Sequence, residues 1–509
     1  MTQAAAVEQS RGMRAAFRVF SAIERIGNLL PHPFWLFCIL AGVVIVLSAA
    51  LEAAGVSAVS PGTGDTVEVR SLLSAAGIQT MIGDAVENFA SFPPLATILT
   101  TMLGIAVAEK SGLIDTLLRN TVTKVPAKYV TFALAMAAML GHVAGDAAYV
   151  TLIPLGALVF RAVGKSPVLG AIVAFVSISA GYDASPSLTT TDVLLSSITT
   201  AAAGTIDSSV VVTPLANYFF SLASSVLIAL TITVVVEKVL SKRPDLEADA
   251  SDEAASSVAD LRISTRERRA LRLAGITALL FLAAVAASLV PADSPFRGEA
   301  GGVLNSPVIG GMAFVIGLFF ALIGVVYGRS AGTFTQGSDV TAAMIEGIKS
   351  MAPILVLFFA ISQFLAYFKW TGMGEVLAIS GARTLDSINA PGWAILLGIA
   401  VLISVMNFII TSGSAMWSLA APIFVPMLML LDIEPATTQA MYRIADSVTN
   451  CVTPMSPYFV MALGFVQKYR RSAGIGTLAS FTIPLAMVIW VVWIAFFMIW
   501  YALGIPFGI

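Results

Sequence analysis

The chain has 509 residues, of which 58% are hydrophobic and 11% charged, and its 28 lysines and arginines nearly balance its 30 acids, for a net charge of −2. Soluble domains carry about 25% charged residues, so this composition excludes an ordinary soluble enzyme and a disordered chain. A nucleic-acid partner is excluded because there is no basic field. Together with a mean hydropathy of +0.90, these values indicate an integral membrane protein whose main partner is the lipid bilayer.

Cysteines and histidines are too few to support a metal centre or a disulfide framework. The two cysteines, Cys38 and Cys451, lie far apart in apolar sequence, and there are two histidines. Such a pattern predicts no resident cofactor. Residues 1–32 are polar and rich in arginine, without the short apolar core and cleavage site of a signal peptide. We therefore expect an uncleaved N-terminal segment and a first membrane helix from residue 33.

Apolar stretches long enough to cross a bilayer recur along the whole chain. They predict an all-α polytopic membrane protein in two halves: residues 1–32 precede the first half at 33–240, and a charged linker at 241–270 precedes the second half at 271–509. Individual spans are expected at 33–51, 127–141, 147–163, 167–181, 211–240, 271–290, 303–327, 391–410, 415–431 and 475–503.

Two further apolar stretches are interrupted and are predicted to form re-entrant hairpins. The stretch near 90–118 begins with two prolines and carries Lys-Ser-Gly at 110–112, and the stretch near 350–378 carries Lys-Trp-Thr-Gly at 369–372. Irregular backbone at membrane depth is tolerated only where protein or a water-filled cavity covers it. An ordinary span followed by an amphipathic helix is the alternative for each stretch.

The distribution of arginine and lysine predicts the orientation of the chain. Basic residues concentrate in the N-terminal segment, at the end of the 242–272 linker and in the loop at 468–471, whereas the loop at 52–87 is acidic. Cytoplasmic loops carry the excess of basic residues. We therefore expect the N-terminus and the linker to lie in the cytoplasm.

The two halves resemble each other at their breaks. A shift of 268 residues aligns Gly145 with Gly413, Pro154 with Pro422 and Pro186 with Pro454, and a shift of 260 aligns Pro93 with Pro353 and Gly112 with Gly372. Secondary transporters are built from inverted repeats with broken helices at corresponding positions. The sequence therefore predicts two repeats of inverted topology.

Polar segments at 141–146, 181–192, 411–414 and 449–457 interrupt the apolar sequence. Unwound helix ends attract anions, because they expose backbone N–H groups and the positive end of the helix dipole. Hydroxyls and freed carbonyls at the same places can bind Na⁺ or a proton carrier. These segments are therefore candidate sites for a substrate and a coupling ion, the alternative being simple helix kinks.

Ionisable residues at bilayer depth cost at least about 2.5 kcal/mol each and mark functional positions. Arg443 and Asp446 are three residues apart, so they can pair on one helix face; alternatively, Arg443 holds a substrate carboxylate and Asp446 takes up a proton. Asp192 has no basic neighbour in sequence and is a candidate proton carrier, a helix cap being the alternative. Asp146 and Asp183 are further candidates, as are Glu109 and Lys110.

Four segments resemble the AbgT family, the p-aminobenzoyl-glutamate transporters that include exporters of sulfonamide antimetabolites. They read ERIGNLLPHPFWLF, TTTDVLL, NFIITSGSAMWSLAAPIFVPM and MYRIADSVTNCVTPMSPYF. The resemblance implies nine transmembrane helices and two re-entrant hairpins per protomer, arranged as a scaffold around a transport core in a dimer. It also implies proton coupling through aspartates, with a Na⁺ site near Ser185, Thr189 and Asp192 as the alternative.

The resemblance assigns roles to individual residues. Trp417 would stack on an aromatic ring, or alternatively pack against its neighbours, and Arg443 would attract a carboxylate. The first aspartate of the family corresponds to either Asp192 or Asp183, which lie close together in the sequence. The predicted substrate-binding residues are Asn407, Ser414, Trp417, Pro435, Arg443 and Pro454, and the predicted coupling residues are Asp183, Asp192 and Asp446.

The sequence therefore predicts a secondary active transporter of the bacterial inner membrane, not an enzyme, with a small anionic aromatic substrate. A phosphate-binding loop of the Walker type is missing from the sequence, so direct ATP drive is not expected. One rival is a Na⁺-coupled dicarboxylate importer. Another is an intramembrane aspartyl protease, suggested by Tyr182-Asp183 and Gly62–Asp65, but these motifs stand in the wrong order and the second lies in an external loop.

Overall fold

A computed structural model describes most of the chain. The described residues are 31–59, 66–123, 125–145, 147–243, 246, 263–298, 301–303 and 306–509. Asp146, most of the predicted N-terminal segment and most of the predicted linker lie outside them. Within these ranges the fold is helical, apart from one antiparallel ribbon of β1 (Ser57–Val59) and β2 (Thr66–Glu68).

The first half contains ten α-helices. They are α1 (Pro33–Ala53), α2 (Ala75–Gly83), α3 (Ala85–Ala90), α4 (Pro93–Lys110), α5 (Leu113–Thr123), α6 (Val130–Leu140), α7 (Ala147–Ala162), α8 (Pro167–Ala180), α9 (Thr190–Ala203) and α10 (Tyr218–Lys238). Short 3₁₀ turns occupy Ala127–Tyr129, Gly141–Ala144 and Leu240–Lys242.

The second half also contains ten α-helices. They are α11 (Thr265–Ser288), α12 (Pro307–Gly310), α13 (Met312–Ala331), α14 (Gly337–Trp370), α15 (Met373–Ser387), α16 (Gly392–Asn407), α17 (Gly413–Met429), α18 (Pro435–Asn450), α19 (Pro457–Tyr469) and α20 (Ile475–Ala502).

These helices confirm an all-α polytopic membrane protein. In the described residues, six helices are long and apolar enough to cross a membrane (α1, α10, α11, α13, α14 and α20), and α4 with α5 forms a broken pair bent by 58°. Five shorter apolar helices accompany them. Two predicted spans begin later than expected: the span at 211–240 becomes helical at Tyr218, and the span at 303–327 becomes continuous at Met312, after the short helix α12.

The turns that end α4 and α14 are built alike. Gly112 and Gly372 have φ values of 83° and 73°, which glycine adopts without strain. The preceding hydroxyl, of Ser111 or Thr371, donates to the carbonyl three residues earlier and accepts from the amide two residues later. The repeat predicted from the shift of 260 residues is therefore present in the backbone.

The two related turns lie at opposite ends of α14. Thr333, just before α14 begins, donates its hydroxyl to the Ser111 carbonyl at 2.8 Å. Arg70, just after β2, donates its amide to the Thr371 carbonyl at 2.9 Å, where α14 ends. A helix of 34 residues is about 51 Å long. The turns therefore face opposite sides of the protein, as inverted repeats require.

A second pair of related helices forms the centre of the molecule. Helices α8 and α18 begin at Pro167 and Pro435, the positions related by the shift of 268, and both are buried along almost their whole length.

Helices α4 and α13 are in contact through their backbones. A Cβ atom added to Gly104 would lie 1.7 Å from the Gly317 carbonyl oxygen. Small residues allow such close approach between membrane helices.

Candidate functional site

Helix α18 is polar yet buried. Its inner residues include charged, amide and hydroxyl side chains, with Arg443 2% exposed and Asp446 0% exposed. Burial of so many polar groups costs free energy unless each finds a partner. The candidate site is therefore located by asking which buried polar side chains of α18 have hydrogen-bond or ion-pair partners and which do not.

Arg443 pairs with two aspartates from the first repeat. Its Nη1 atom lies 2.8 Å from Asp192 Oδ1 and 3.8 Å from Asp183 Oδ1, and its Nε donates to Asn217 Oδ1 at 3.2 Å. No ion pair joins Arg443 to Asp446 in the described residues, although their spacing permits one. The reason is that the long arginine side chain reaches across to α9, so tertiary contacts decide its partner.

Asp192 acts as a helix cap and as an ion-pair partner at once. Its Oδ2 accepts from the Thr189 amide at 2.7 Å and from the Thr189 hydroxyl at 2.8 Å, while Oδ1 faces Arg443. The sequence supplies no basic neighbour to Asp192, but the fold brings one from α18. Ser185, the third residue of the predicted Na⁺ group, has its hydroxyl 3.4 Å from that of Ser187.

Asp183 and Asp446 are buried carboxylates of a different kind. Among the described residues, none of their four carboxylate oxygens makes a hydrogen bond. The Asp183 amide donates to Ser447 Oγ at 3.1 Å. Tyr442 lies beside Asp446, but its hydroxyl donates to the Gly413 carbonyl at 2.6 Å. A buried carboxylate without hydrogen bonds is costly, and a bound proton or cation relieves that cost.

Asn407 holds the end of α16 against α18. Its Nδ2 group lies 2.7 Å from the Asp446 carbonyl, 2.6 Å from Thr449 Oγ1 and 3.2 Å from Asn450 Oδ1. Carbonyl groups near a helix end need such partners. Asn407 therefore fixes the backbone that carries Asp446.

Trp417 packs inside the protein. It is 0% exposed, its Nε1 donates to Thr199 Oγ1 at 2.9 Å, and its ring lies 4.3 Å from that of Tyr442. The structure therefore shows the packing alternative. Pro435 occupies the first turn of α18, and Pro454 lies in the turn between α18 and α19.

A cavity of about 560 Å³ reaches the buried carboxylates of Asp183 and Asp446. Asp183, Ser414 and Asp446 line its buried inner end, whereas Lys110 and Glu346, which are 47% and 55% exposed, line its mouth. Tyrosines line the wall between them: Tyr149 stacks on Tyr458 at 4.0 Å, and Tyr182 meets His142 edge-on.

The predicted site residues thus separate into two groups. Asp183, Ser414 and Asp446 line the cavity, and the others lie outside its lining: Asp192, Asn407, Trp417, Pro435, Arg443 and Pro454. Sequence reasoning did not find the cavity tyrosines or Asn217. A polar residue inside an apolar run, as in the ANYFF segment, is the signal that marks Asn217.

Inverted repeats, paired turns and a one-sided cavity leading to buried carboxylates define a secondary active transporter. The sequence profile described as "AbgT putative transporter family" matches residues 18–509. The p-aminobenzoyl-glutamate transport protein of Escherichia coli (strain K12) is 37% identical over 492 residues, which cover 96% of each chain. The chain therefore belongs to the AbgT family and is a transporter, not an enzyme.

Two solved structures share the fold along nearly the whole chain. The YdaH transporter of Alcanivorax borkumensis, described as having an unusual topology, superimposes with a TM-score of 0.87 at 37% identity, covering 94% of this chain and 100% of that one. MtrF of Neisseria gonorrhoeae, described as illuminating a class of antimetabolite efflux pumps, gives a TM-score of 0.91 at 39% identity, covering 95% and 97%.

Proposed function

We propose that this protein transports a small anionic aromatic molecule, p-aminobenzoyl-glutamate or a sulfonamide-like antimetabolite, and that protons drive it. The observation that carries the proposal is the cavity itself, which joins an exposed mouth to the buried carboxylates of Asp183 and Asp446, whose oxygens make no hydrogen bond among the described residues. The functions named for the Escherichia coli and Neisseria gonorrhoeae relatives support the substrate class.

The cavity wall suits an aromatic substrate. The rings of Tyr458 and Tyr182 are partly exposed at the cavity, and aromatic rings attract one another in stacked or edge-to-face geometry. In this proposal they contact the substrate ring, a role that Trp417 cannot take while buried against Tyr442.

Asp183 and Asp446 carry the protons in this proposal. Proton binding neutralises each carboxylate and reduces its repulsion of an anionic substrate. Once Asp183 is charged, it competes with Asp192 for Arg443, which already lies within 4 Å of both. Since Asp192 caps α9, proton binding at Asp183 is linked to the position of a helix end.

The contacts of Asp192 favour protons over Na⁺. A Na⁺ ion beside Ser185, Thr189 and Asp192 would approach the Arg443 guanidinium, which sits 2.8 Å from Asp192. Two positive charges at such short range repel strongly inside a protein. A Na⁺-coupled dicarboxylate importer is therefore the less favoured alternative.

Placement in the membrane belongs to the same proposal. We place the protein in the bacterial inner membrane with its N-terminus in the cytoplasm. His32, at the start of α1, lines the cavity, so the mouth then faces the cytoplasm. We also propose a homodimer, in which a second protomer packs on the broad exposed apolar face of α11 around Leu279 and Leu280.

Flux measurements in proteoliposomes test the proposal. Labelled p-aminobenzoyl-glutamate and a labelled sulfonamide are offered under a pH gradient alone and under a Na⁺ gradient alone. We expect the pH gradient to drive flux in the wild type but not in an Asp183→Asn/Asp446→Asn variant. Flux that follows the Na⁺ gradient at constant pH would establish the alternative importer, and the absence of wild-type flux for both compounds would refute the substrate class.

A further inference from the structure

The mouth of the cavity carries a lysine that the mechanism above does not use. Lys110 is the last residue of α4, and among the described residues it is the one lysine or arginine that lines the cavity. Its side chain is 47% exposed, whereas Asp183 and Asp446 lie at the closed inner end. An anion that enters the cavity therefore passes Lys110 before it reaches a carboxylate.

Lys110 is held by an acid that an anion can replace. Its Nζ lies 3.1 Å from Glu109 Oε1, and across the mouth Lys349 Nζ lies 2.8 Å from Glu346 Oε1. These exposed pairs leave the mouth close to neutral, and exposed ion pairs are weak, at about 0.2–1 kcal/mol. A substrate carboxylate can therefore exchange with Glu109 on Lys110 at little cost.

The second repeat places a lysine at its own turn. Lys369 precedes Trp370, the residue related to Lys110 by the shift of 260, so each repeat carries a lysine just before its glycine turn. Lys369 Nζ donates to the Gly204 carbonyl at 3.1 Å, at the end of α9. Leu357 is the last residue of α14 that lines the cavity, and Lys369 lies about 18 Å further along that helix.

We propose that Lys110 and Lys369 are a repeat-related pair of carboxylate-positioning residues, one for each face of the membrane. Lys110 receives the anionic substrate at the open mouth, while Lys369 is held by Gly204 at the closed end and is released when that end opens. The inference rests on the proposed function, because it requires an anionic substrate and alternating access between inverted repeats.

Sided membrane vesicles test this pair. The concentration dependence of labelled p-aminobenzoyl-glutamate flux is measured in right-side-out and inside-out vesicles for Lys110→Gln, Lys369→Gln and Glu109→Gln. We expect Lys110→Gln to raise KM about 1.4-fold to fivefold, the range for an exposed ion pair. The rise should occur from one side only, with the maximal rate within about twofold. Lys369→Gln should raise KM from the other side. Glu109→Gln, which removes the competing acid, should lower KM on the Lys110 side.

Lys128→Gln is the control. It removes an exposed lysine that lies over the Tyr129 ring and does not line the cavity, so it should leave KM unchanged from both sides. Suppose that the wild type transports the substrate but that Lys110→Gln leaves KM unchanged, or changes KM equally from both sides. Either result would refute the lysine pair without contradicting the proposed function. The absence of wild-type flux would remove both.

Discussion

The Nη1 atom of Arg443 lies 2.8 Å from Oδ1 of Asp192, and this ion pair joins the polar helix α18 of the second repeat to the first turn of α9. The Arg443 Nη2 atom has no hydrogen-bond partner among the described residues. The guanidinium is therefore not saturated, and Asp183 lies close enough to take it. One arginine thus connects the helix cap at Asp192 to the cavity carboxylate at Asp183.

Replacing Arg443 with lysine should abolish substrate accumulation. An ammonium is a point charge without the planar fork of arginine, so it cannot serve Asp192, Asp183 and Asn217 together. The lysine keeps the positive charge but leaves some of these partners without a donor, and a hydrogen bond to a charged group contributes about 1.5–3 kcal/mol. We therefore expect a lower Tm as well as lost flux. The control is Asp207→Asn in an exposed turn. Normal accumulation by Arg443→Lys would show that the planar fork of arginine is dispensable.

Asp183→Asn and Asp446→Asn should separate transport from coupling. The amide keeps the shape of the carboxylate but cannot take up and release the proton. We expect each variant to exchange labelled for unlabelled substrate while failing to accumulate it under a pH gradient. The comparison is counterflow against gradient-driven uptake in the same proteoliposomes. Gradient-driven uptake by the double variant at the wild-type rate would exclude both residues as carriers.

Tyr458 and Trp417 should differ in their effect on substrate affinity. Tyr458→Leu removes a ring that lines the cavity and should raise KM for an aromatic substrate about tenfold, since one stacked pair and its buried area are worth on the order of 1 kcal/mol or more. Trp417→Phe loses the hydrogen bond to Thr199, worth about 0.5–1.5 kcal/mol of stability, and should lower Tm with KM unchanged. A raised KM in Trp417→Phe together with an unchanged KM in Tyr458→Leu would place Trp417, and not Tyr458, at the substrate.

Gly104→Ala should destabilise the fold. The added Cβ would lie 1.7 Å from the Gly317 carbonyl oxygen, so α4 and α13 must separate. Gly275→Ala in α11 is the matched control, because nothing lies within 4 Å of its added Cβ, and it should be neutral or stabilising by up to about 1 kcal/mol. Thermal unfolding in detergent compares the two. Equal Tm values would show that the α4–α13 contact is loose.

The start of α14 should contribute stability that depends on pH. Asp339 precedes Glu346 and Lys349, so it lies outside the apolar segment of α14 that crosses the membrane. The backbone amides of Gln336 and Thr335 donate to the Asp339 carboxylate and hold its pKa below the ordinary value. Since the folded pKa is lowered, the contribution is present above the unfolded pKa of about 3.9 and is lost as the pH falls below it. The Tm difference between wild type and Asp339→Asn should therefore shrink at low pH, and a difference that grows would contradict the cap.

Several elements could be read directly from the sequence because their causes are local. The length of an apolar run sets a membrane helix, so α1 and α20 lie where expected. A glycine after a hydroxyl residue sets the turns at Gly112 and Gly372, and the family motifs identified the transporter class. The starts of α10 and α13 were placed too early, because apolar residues also fill the non-helical segments before them.

The partners of the charges were decided by tertiary structure alone. By itself the sequence determined a sparsely charged, twofold-repeated membrane protein, because hydropathy and glycine turns act over a few neighbouring residues. Only the fold decided that Arg443 pairs with Asp192 rather than Asp446, that Asp183 and Asp446 reach the cavity, and that Trp417 does not. The partner of a long side chain depends on which groups the fold brings together from different helices. The spacing of residues along one helix does not predict it.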